Sequence, residues 1–193
     1  MTTPRSLPWP PPPWYSNWST WCSVGRNEVP VIRPGNEGDT TPVNRIYNHY
    51  VLHTTATFDI EPWSDDKRQA WILGFAKPYF LMVAEASEEI VGFAHNGKFR
   101  PKAAYDSSTD VTVYTAPDAA PPGTGTALYQ ALFERLNTTD LHRAYAIIAL
   151  PNASSIALHE KFGFNLAGVL GEVGTKFGRR VDVAWYEKPL PHR

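Results

Sequence analysis

The sequence predicts a mixed α/β domain, and three observations support this prediction. Runs rich in β-branched residues, such as "TDVTVYT" and "AYAIIAL", alternate with segments of helical periodicity. The chain has 193 residues, of which 42% are hydrophobic and 19% charged, enough for one domain with a buried core. No internal repeat interrupts this alternation. The predicted element order is β-α-α-β-β-β-α-β-α-β.

The first half of the domain begins with the short strand "VPVIR" at Val29. A helix follows from about Asp39, because apolar side chains recur on one face: Val43, Ile46, Tyr47 and Tyr50. "TATFDIEPW" is predicted to be a loop. Ser64 then caps a second helix that runs through Phe75. "FLMVAE" and "EIVGFAHNGKF" are two strands joined by a tight turn at "ASEE".

The second half begins with the strand "TDVTVYT" and continues with the helix "GTGTALYQALFERL", in which leucines recur every fourth residue. "AYAIIAL" is typical of a buried strand. A helix capped by Asn152 ends near Gly163, and "RVDVAWYEK" is the last strand.

Composition excludes several classes of protein. The net charge of −1 provides no basic field for nucleic acid or anionic lipid. The single cysteine, Cys22, excludes a disulfide framework and a multi-cysteine metal site, and a reducing, cytoplasmic setting fits. No apolar run approaches the roughly 18 residues of a membrane span. His49 and His53 share a helix face but have no carboxylate at ligand spacing nearby, so we predict no metal site.

Residues 1–27 differ from the predicted domain, residues 28–190. This Pro/Trp-rich N-terminal extension holds four of the seven tryptophans and six of the eighteen prolines. Prolines favour an extended conformation, whereas exposed tryptophans are costly in water. We therefore expect the extension to lie across the domain or a partner subunit; the alternative is a disordered leader.

The segment "TAPDAAPPGTGTALYQALF" has the pattern of a phosphate-binding turn, since two glycines open a helix directly after a strand. However, the residues before the glycines include no arginine or lysine, and Pro122 cannot donate a hydrogen bond. The segment is therefore a working phosphate cradle, a weakened one, or an ordinary strand–turn–helix corner.

Five segments, in order, resemble the GCN5-related N-acetyltransferases, within them the branch that acetylates phosphinothricin and methionine sulfoximine. They are "IYNHYVLHTTATFDIEP", "AYDSSTDVTVY", "GTGTALY", "LPNASSIALHEKFGF" and "KFGRRVDVAWYEK", which span most of residues 29–190. The resemblance implies the GNAT fold, a mixed central β-sheet splayed between its fourth and fifth strands and flanked by helices. It also implies acetyl-CoA as co-substrate, a small-molecule amine as acceptor, and a homodimer.

In the family, the pantetheine of acetyl-CoA pairs with the edge of the fourth strand, and the pyrophosphate meets backbone N–H groups that begin the next helix. The cofactor-binding residues this implies are Val113, Tyr114, Thr115, Pro122, Gly123, Thr124, Gly125, Thr126, Asn152 and Ser155. Asn152 is alternatively only a helix cap. The family's arginine ahead of the glycines is absent, and a charged hydrogen bond contributes roughly 1.5–3 kcal/mol. We therefore predict a weakened but working cradle; the alternative is a cradle with another ligand or none.

The catalytic residues implied by the resemblance are Asp110 and His159. Asp110 occupies the position of the family's glutamate base, and strand alternation puts it on one face with Thr112 and Tyr114. A backbone N–H near Thr115 is expected to stabilise the thioester oxygen. His159 stands where many relatives have a tyrosine that protonates the leaving thiolate. The alternatives are a polar strand end for Asp110 and a packing histidine for His159.

On the acceptor side, Phe58, Tyr105 and Thr109 are expected to line the substrate pocket. Thr175 and Val181 replace a tyrosine and a histidine that the branch often has. Lys176, Arg179 and Arg180 either meet an acidic acceptor or form a solvated turn. The sequence thus predicts direct transfer from acetyl-CoA to the amine of a small amino-acid-like acceptor. The alternatives are another small amine, or a non-catalytic acyl-CoA-binding or interaction module.

Overall fold

A computed structural model describes residues 28–191 of the chain, so the extension predicted for residues 1–27 lies outside the described residues. The strands are β1 (Val31–Pro34), β2 (Leu81–Ala86), β3 (Glu89–Lys98), β4 (Ser108–Thr115), β5 (Arg143–Ala149), β6 (Asn165–Lys176) and β7 (Arg179–Pro189). The helices are α1 (Thr40–His53), α2 (Asp65–Leu73), α3 (Thr124–Leu136) and α4 (Ala153–Lys161).

The described strands form one seven-stranded sheet in the order β1-β2-β3-β4-β5-β7-β6. All neighbours are antiparallel except β4 and β5, which are parallel. The β4–β5 pairing extends only from Ser108 opposite Arg143 to Asp110 opposite Tyr145. Beyond Asp110 the two strands separate, which confirms the predicted splay between the fourth and fifth strands.

Helices cover the two faces of the sheet. On β3, Phe93 contacts the rings of Trp71 in α2 and Tyr114 in β4. The neighbouring Gly92 lies against Leu128 and Thr124 of α3. Successive strand residues point to opposite faces. Hence α1 and α2 pack on one face and α3 on the other, with α4 beside β5.

The α1–α2 face buries two titratable side chains, an arginine and a histidine. Arg68 is 2% exposed, and its guanidinium lies 4.2–4.6 Å from the ring centroids of Tyr47, Trp63 and Trp71. Burial lowers the pKa of Arg68 to about 10. Burial, with the charge of Arg68, also lowers the pKa of His95 to about 4. His95 is therefore neutral in the core at physiological pH.

Two parts of the sequence-based element prediction are wrong. Strand β6 was not predicted, because Asn165–Lys176 includes three glycines and is exposed along nearly its whole length. Register shifts next to Leu166 and Leu170 further remove the two-residue alternation that marks a strand. The second helix ends at Leu73, two residues before the predicted Phe75, because Gly74 forms its C-cap.

Candidate functional site

The separation of β4 and β5 opens a cleft of about 570 Å³. Val111–Thr115 of β4 form one wall, Ala146–Ala149 of β5 form the other, and α3 and α4 close one side. The sequence-predicted residues that line it are Val113, Tyr114, Thr115, Gly123, Gly125, Thr126, Asn152, Ser155 and His159. Pro122, Thr124 and Asp110 do not line it, and neither do Phe58, Tyr105 and Thr109.

The β4 wall presents an unpaired strand edge. The His142 N–H donates to Ser107 C=O on the β5 side, and the Ala116 N–H donates to Val91 C=O on the β3 side. Since successive residues direct their backbone groups to opposite edges, Val111, Val113 and Thr115 direct theirs into the cleft. The backbone of Tyr114 points to β3 instead.

Helix α1 is hydrogen-bonded to this edge. The Tyr50 hydroxyl donates to Thr115 C=O at 2.8 Å. Of the three backbone carbonyls that β4 directs into the cleft, the one at Thr115 is therefore engaged, while its N–H stays available to a ligand.

Helix α3 begins at the far end of the β4 edge. Gly123 is its N-cap with φ of 90°, a left-handed conformation that favours glycine. Among residues 28–191, no backbone carbonyl accepts from the N–H groups of Gly123, Gly125 or Thr126. These unpaired N–H groups and the helix dipole can bind an anion.

Two residues of this turn depart from the sequence-based prediction. Thr124 is 1% exposed, and both its N–H and its hydroxyl donate to Pro121 C=O, so neither donor faces the cleft. Pro122 is exposed outside the cleft.

A Cβ added at Gly125 would meet only Leu158 at 3.4 Å and Thr115 at 3.9 Å, which are ordinary contacts. Gly125 thus leaves cleft space that a ligand can fill.

A buried pair that the sequence did not predict, Tyr129 of α3 and His159 of α4, joins the two helices in the cleft wall. His159 Nδ1 lies 2.7 Å from Ser155 C=O, so Nδ1 carries the hydrogen. His159 Nε2 then accepts from the Tyr129 hydroxyl at 2.8 Å. Burial lowers the pKa of His159 and raises that of Tyr129, so both are neutral. The Asn152 side chain accepts from the Ser155 N–H at 3.1 Å, which confirms its predicted helix cap.

Asp110 lies where the β4–β5 pairing ends, on the face that packs against α1 and α2. Its carboxylate leans over Gly97 of β3, where a Cβ would approach Asp110 Oδ1 to 2.8 Å. In the described part of the chain, Oδ1 is buried without a hydrogen-bond partner. Burial raises the pKa of Asp110, and nearby N–H groups and the charge of Arg100 act in the opposite direction. A carboxylate with a raised pKa is suited to accept a proton.

An aromatic cluster next to Asp110 was also missed. Tyr145, opposite Asp110, stacks on Phe99 with ring centroids 4.3 Å apart, and Trp185 contacts Phe99 edge-on. The guanidinium of Arg100 lies 4.5 Å from the Phe99 centroid and 4.9 Å from that of Trp185. Beside Asp110, this cluster therefore offers apolar rings and the cation of Arg100. These contacts join the segment after β3 with β5 and β7, so local sequence patterns carry no signal for them.

The predicted acceptor residues do not form one pocket. Phe58 packs on Gly174 of β6, and Tyr105 contacts Phe99 at the exposed surface. Thr109 is fully buried and donates to Gly97 C=O at 2.7 Å, because its side chain points away from the Asp110 face. The predicted role of Thr109 as a pocket-lining residue is therefore corrected.

The basic residues near the C-terminus are engaged elsewhere. Lys176 is 4% exposed and donates to Thr57 C=O at 2.7 Å, which anchors the loop that carries Phe58. Arg180 pairs with Glu172 at 3.0 Å on the surface. Arg179 and Arg180 are exposed beside the turn between β6 and β7, so they form the solvated turn, whereas Lys176 is buried.

The chain belongs to the GNAT acetyltransferase family: the model of the acetyltransferase (GNAT) domain matches residues 32–185. It is 50% identical to the phosphinothricin N-acetyltransferase of Streptomyces coelicolor over 170 residues, 86% of this chain and 99% of that protein. It is 35% identical to the L-methionine sulfoximine/L-methionine sulfone acetyltransferase of Pseudomonas paraeruginosa, over 82% of this chain and 94% of that protein. The crystal structure of a Sinorhizobium meliloti phosphinothricin acetyltransferase in complex with AcCoA superposes with a TM-score of 0.78 at 31% identity, covering 83% and 88% of the two chains.

The cleft fits acetyl-CoA as the co-substrate of this family. The free β4 edge suits the amide-containing pantetheine arm, and the α3 N-terminus suits the pyrophosphate. Among the residues described, no cluster of three or more His, Cys, Asp and Glu side chains is placed to hold a metal ion. None of the helices formed by these residues is both long and apolar enough to span a membrane.

Proposed function

We propose that this protein transfers the acetyl group of acetyl-CoA to the primary amine of a small amino-acid-like acceptor, of the phosphinothricin or methionine sulfoximine type. The observation that carries the proposal is the unpaired β4 edge. One end of this edge meets the open N-terminus of α3, and the other end meets the buried carboxylate of Asp110. The acceptor class is supported by the relatives' names.

The edge gives the bound co-substrate a direction. Gly125 lies beside Thr115, so the pyrophosphate occupies the Thr115 end and the thioester lies toward Asp110. The N–H of Val113 or Val111, rather than that of Thr115, is then placed to stabilise the thioester oxygen as it gains negative charge. Val113, Thr115, Gly123, Gly125, Thr126, Asn152 and Ser155 remain the proposed cofactor contacts.

Asp110 is the proposed base. It accepts a proton from the attacking amine, directly or through water, and the amine then attacks the thioester without a covalent enzyme intermediate. The leaving thiolate takes its proton from water, because both hydrogens of the Tyr129–His159 pair are already donated, the hydroxyl hydrogen to His159 Nε2 and the Nδ1 hydrogen to Ser155 C=O. This geometry favours the alternative of a packing histidine for His159. Arg100 is the cation placed to meet an acidic group of the acceptor, because it lies near Asp110 over Phe99 and Trp185.

A different small amine is the second candidate, and two positions favour it. Val181 is 6% exposed and so presents no polar group to a substrate, and Thr175 is a small exposed residue. The branch that this sequence resembles often has a histidine in place of Val181 and a tyrosine in place of Thr175.

Thiol release from acetyl-CoA separates these functions. The purified protein is given phosphinothricin, methionine sulfoximine, their N-methylated forms, or simple alkyl amines of matched pKa. We expect release with the two amino acids, none with the N-methylated forms, and acetylated product by mass spectrometry. Release with alkyl amines alone would favour the second candidate. No release with any amine, despite CoA binding, would leave a non-catalytic binding module.

We further propose a cytoplasmic homodimer. The single cysteine fits a reducing compartment. Strand β6 is the edge of the sheet and exposes Leu166, Val169, Leu170 and Val173 by 46–56%. Proteins ordinarily shield a long, exposed apolar strand edge from solvent. We propose that a second copy of this chain packs against the β6 edge.

A further inference from the structure

The acetyl-CoA cleft has one cationic side chain. In the part of the chain that the structure describes, Lys161 is the single Lys or Arg among the lining residues, and no Asp or Glu lines the cleft. Coenzyme A brings a pyrophosphate and a 3′-phosphate into this space. The segment before α3, Ala116–Pro122, adds no positive charge and includes Asp118.

Lys161 is placed at the anion-binding end of the cleft. It is the last residue of α4, and its Nζ lies 3.5 Å from the hydroxyl of Thr126 in the first turn of α3. Thr126 also contributes one of the unpaired N–H groups at the start of that helix. The ammonium therefore stands beside the donors that are suited to a pyrophosphate.

We propose that Lys161 supplies, from α4, the positive charge on the CoA pyrophosphate that the glycine turn itself lacks. This inference rests on the proposed function, because it requires that the cleft bind CoA. The phosphate cradle is then built from two helices: α3 provides directed N–H donors, and α4 provides the charge. Lysine suits this role as a flexible point charge.

The expected contribution is moderate, because Lys161 is exposed and salt screens exposed charges. A charge-assisted hydrogen bond to a phosphate oxygen supports a change in CoA affinity of about tenfold. The screening also predicts how the effect varies: it is largest at low ionic strength and shrinks as salt is added.

Calorimetry of CoA binding tests the proposal with three proteins: the parent, Lys161→Gln, and Lys77→Gln. Lys77 is an exposed lysine outside the cleft, so its variant is a matched control for the lost charge. We expect Lys161→Gln to bind CoA about tenfold more weakly at low salt and Lys77→Gln to bind like the parent. The gap between parent and Lys161→Gln should narrow at high salt.

Binding of dephospho-CoA, which lacks the 3′-phosphate, shows whether Lys161 contacts the pyrophosphate or the 3′-phosphate. If Lys161 meets the pyrophosphate, Lys161→Gln loses as much affinity for dephospho-CoA as for CoA. A loss confined to CoA would assign Lys161 to the 3′-phosphate and overturn the proposal. Equal binding of CoA by Lys161→Gln and the parent would also overturn it. A parent that binds no CoA at all would instead refute the proposed function.

Discussion

Asp110 is the residue whose environment most directly sets the proposed chemistry. Its carboxylate is desolvated at the end of the β4–β5 pairing, next to a glycine that leaves it room. Desolvation favours the protonated form, so the pKa of Asp110 is raised above its ordinary value of 3.8. Since only the ionised carboxylate accepts a proton, kcat/KM should fall as the pH drops through this raised pKa.

Substitution of Asp110 tests this assignment. Asp110→Asn should lower kcat by about 100-fold or more, and its pH profile should retain only the limb that belongs to the acceptor amine. Asp110→Glu should keep activity, because it retains a carboxylate and matches the glutamate base that the resemblance implies for the family. Steady-state rates of thiol release from pH 5 to 9 measure both effects.

The control for Asp110 is the affinity for CoA, which should change little, since Asp110 does not line the cleft. Full turnover by Asp110→Asn across the pH range would remove Asp110 from the mechanism.

The role of a side chain could be predicted where the local sequence pattern shows its position in a strand or at a helix cap. Alternation in "TDVTVY" put Asp110 on one face with Thr112 and Tyr114, and Asn152 was recognisable as a cap. The Tyr129–His159 bond and the approach of Lys161 to Thr126 join residues 30 and 35 positions apart. Such contacts depend on how α3 packs on α4, which one sequence does not specify.

At the scale of elements, the site depends on how α3 begins. Pro121 is buried, and its carbonyl accepts from both the N–H and the hydroxyl of Thr124, so the turn before the helix is fixed by its own hydrogen bonds. The missing arginine of the family therefore does not leave the turn unformed. A weakened but working phosphate cradle therefore remains the prediction for this segment.

Gly125→Val should weaken CoA binding by at least about tenfold, because the added methyl groups occupy the cleft between Leu158 and Thr115. The same position tolerates a Cβ in the free protein, so the melting temperature should stay close to that of the parent. Ala70→Val is the control, since it adds the same branched side chain at an exposed helix position outside the cleft. Calorimetry and thermal unfolding measure the two effects. If Gly125→Val bound CoA as tightly as the parent, the turn before α3 would not be a phosphate-binding site but an ordinary strand–turn–helix connection.

At the scale of the whole molecule, the sequence predicted the fold class but not β6, the strand at one edge of the sheet. Strands β2 to β5 are buried and rich in β-branched or apolar residues, so their pattern survives in the sequence. Strand β6 is exposed and glycine-rich, and β7 is its one neighbour among the described strands. A strand without a buried face shows no alternation of polar and apolar residues. Its exposed apolar residues are explained only by the proposed homodimer, in which a second copy of the chain covers them.

The proposed homodimer gives a test at this scale. Val173→Lys places a charge in the middle of the exposed β6 edge, where desolvation against a second copy would be costly. We expect the parent to sediment as a dimer at micromolar concentration and Val173→Lys to sediment as a monomer. Gln130→Lys, an exposed position on α3, is the control and should remain dimeric.

The affinity of the Val173→Lys monomer for CoA separates assembly from catalysis. The residues that line the cleft come from β4, β5, α1, α3, α4 and three loops, so a monomer should still bind CoA. Turnover, however, should fall, because β6 carries Gly174 and Lys176, which hold the loop of Thr57 and Phe58 over the acceptor side. A parent that sediments as a monomer, or a Val173→Lys dimer, would mean that β6 is not the interface.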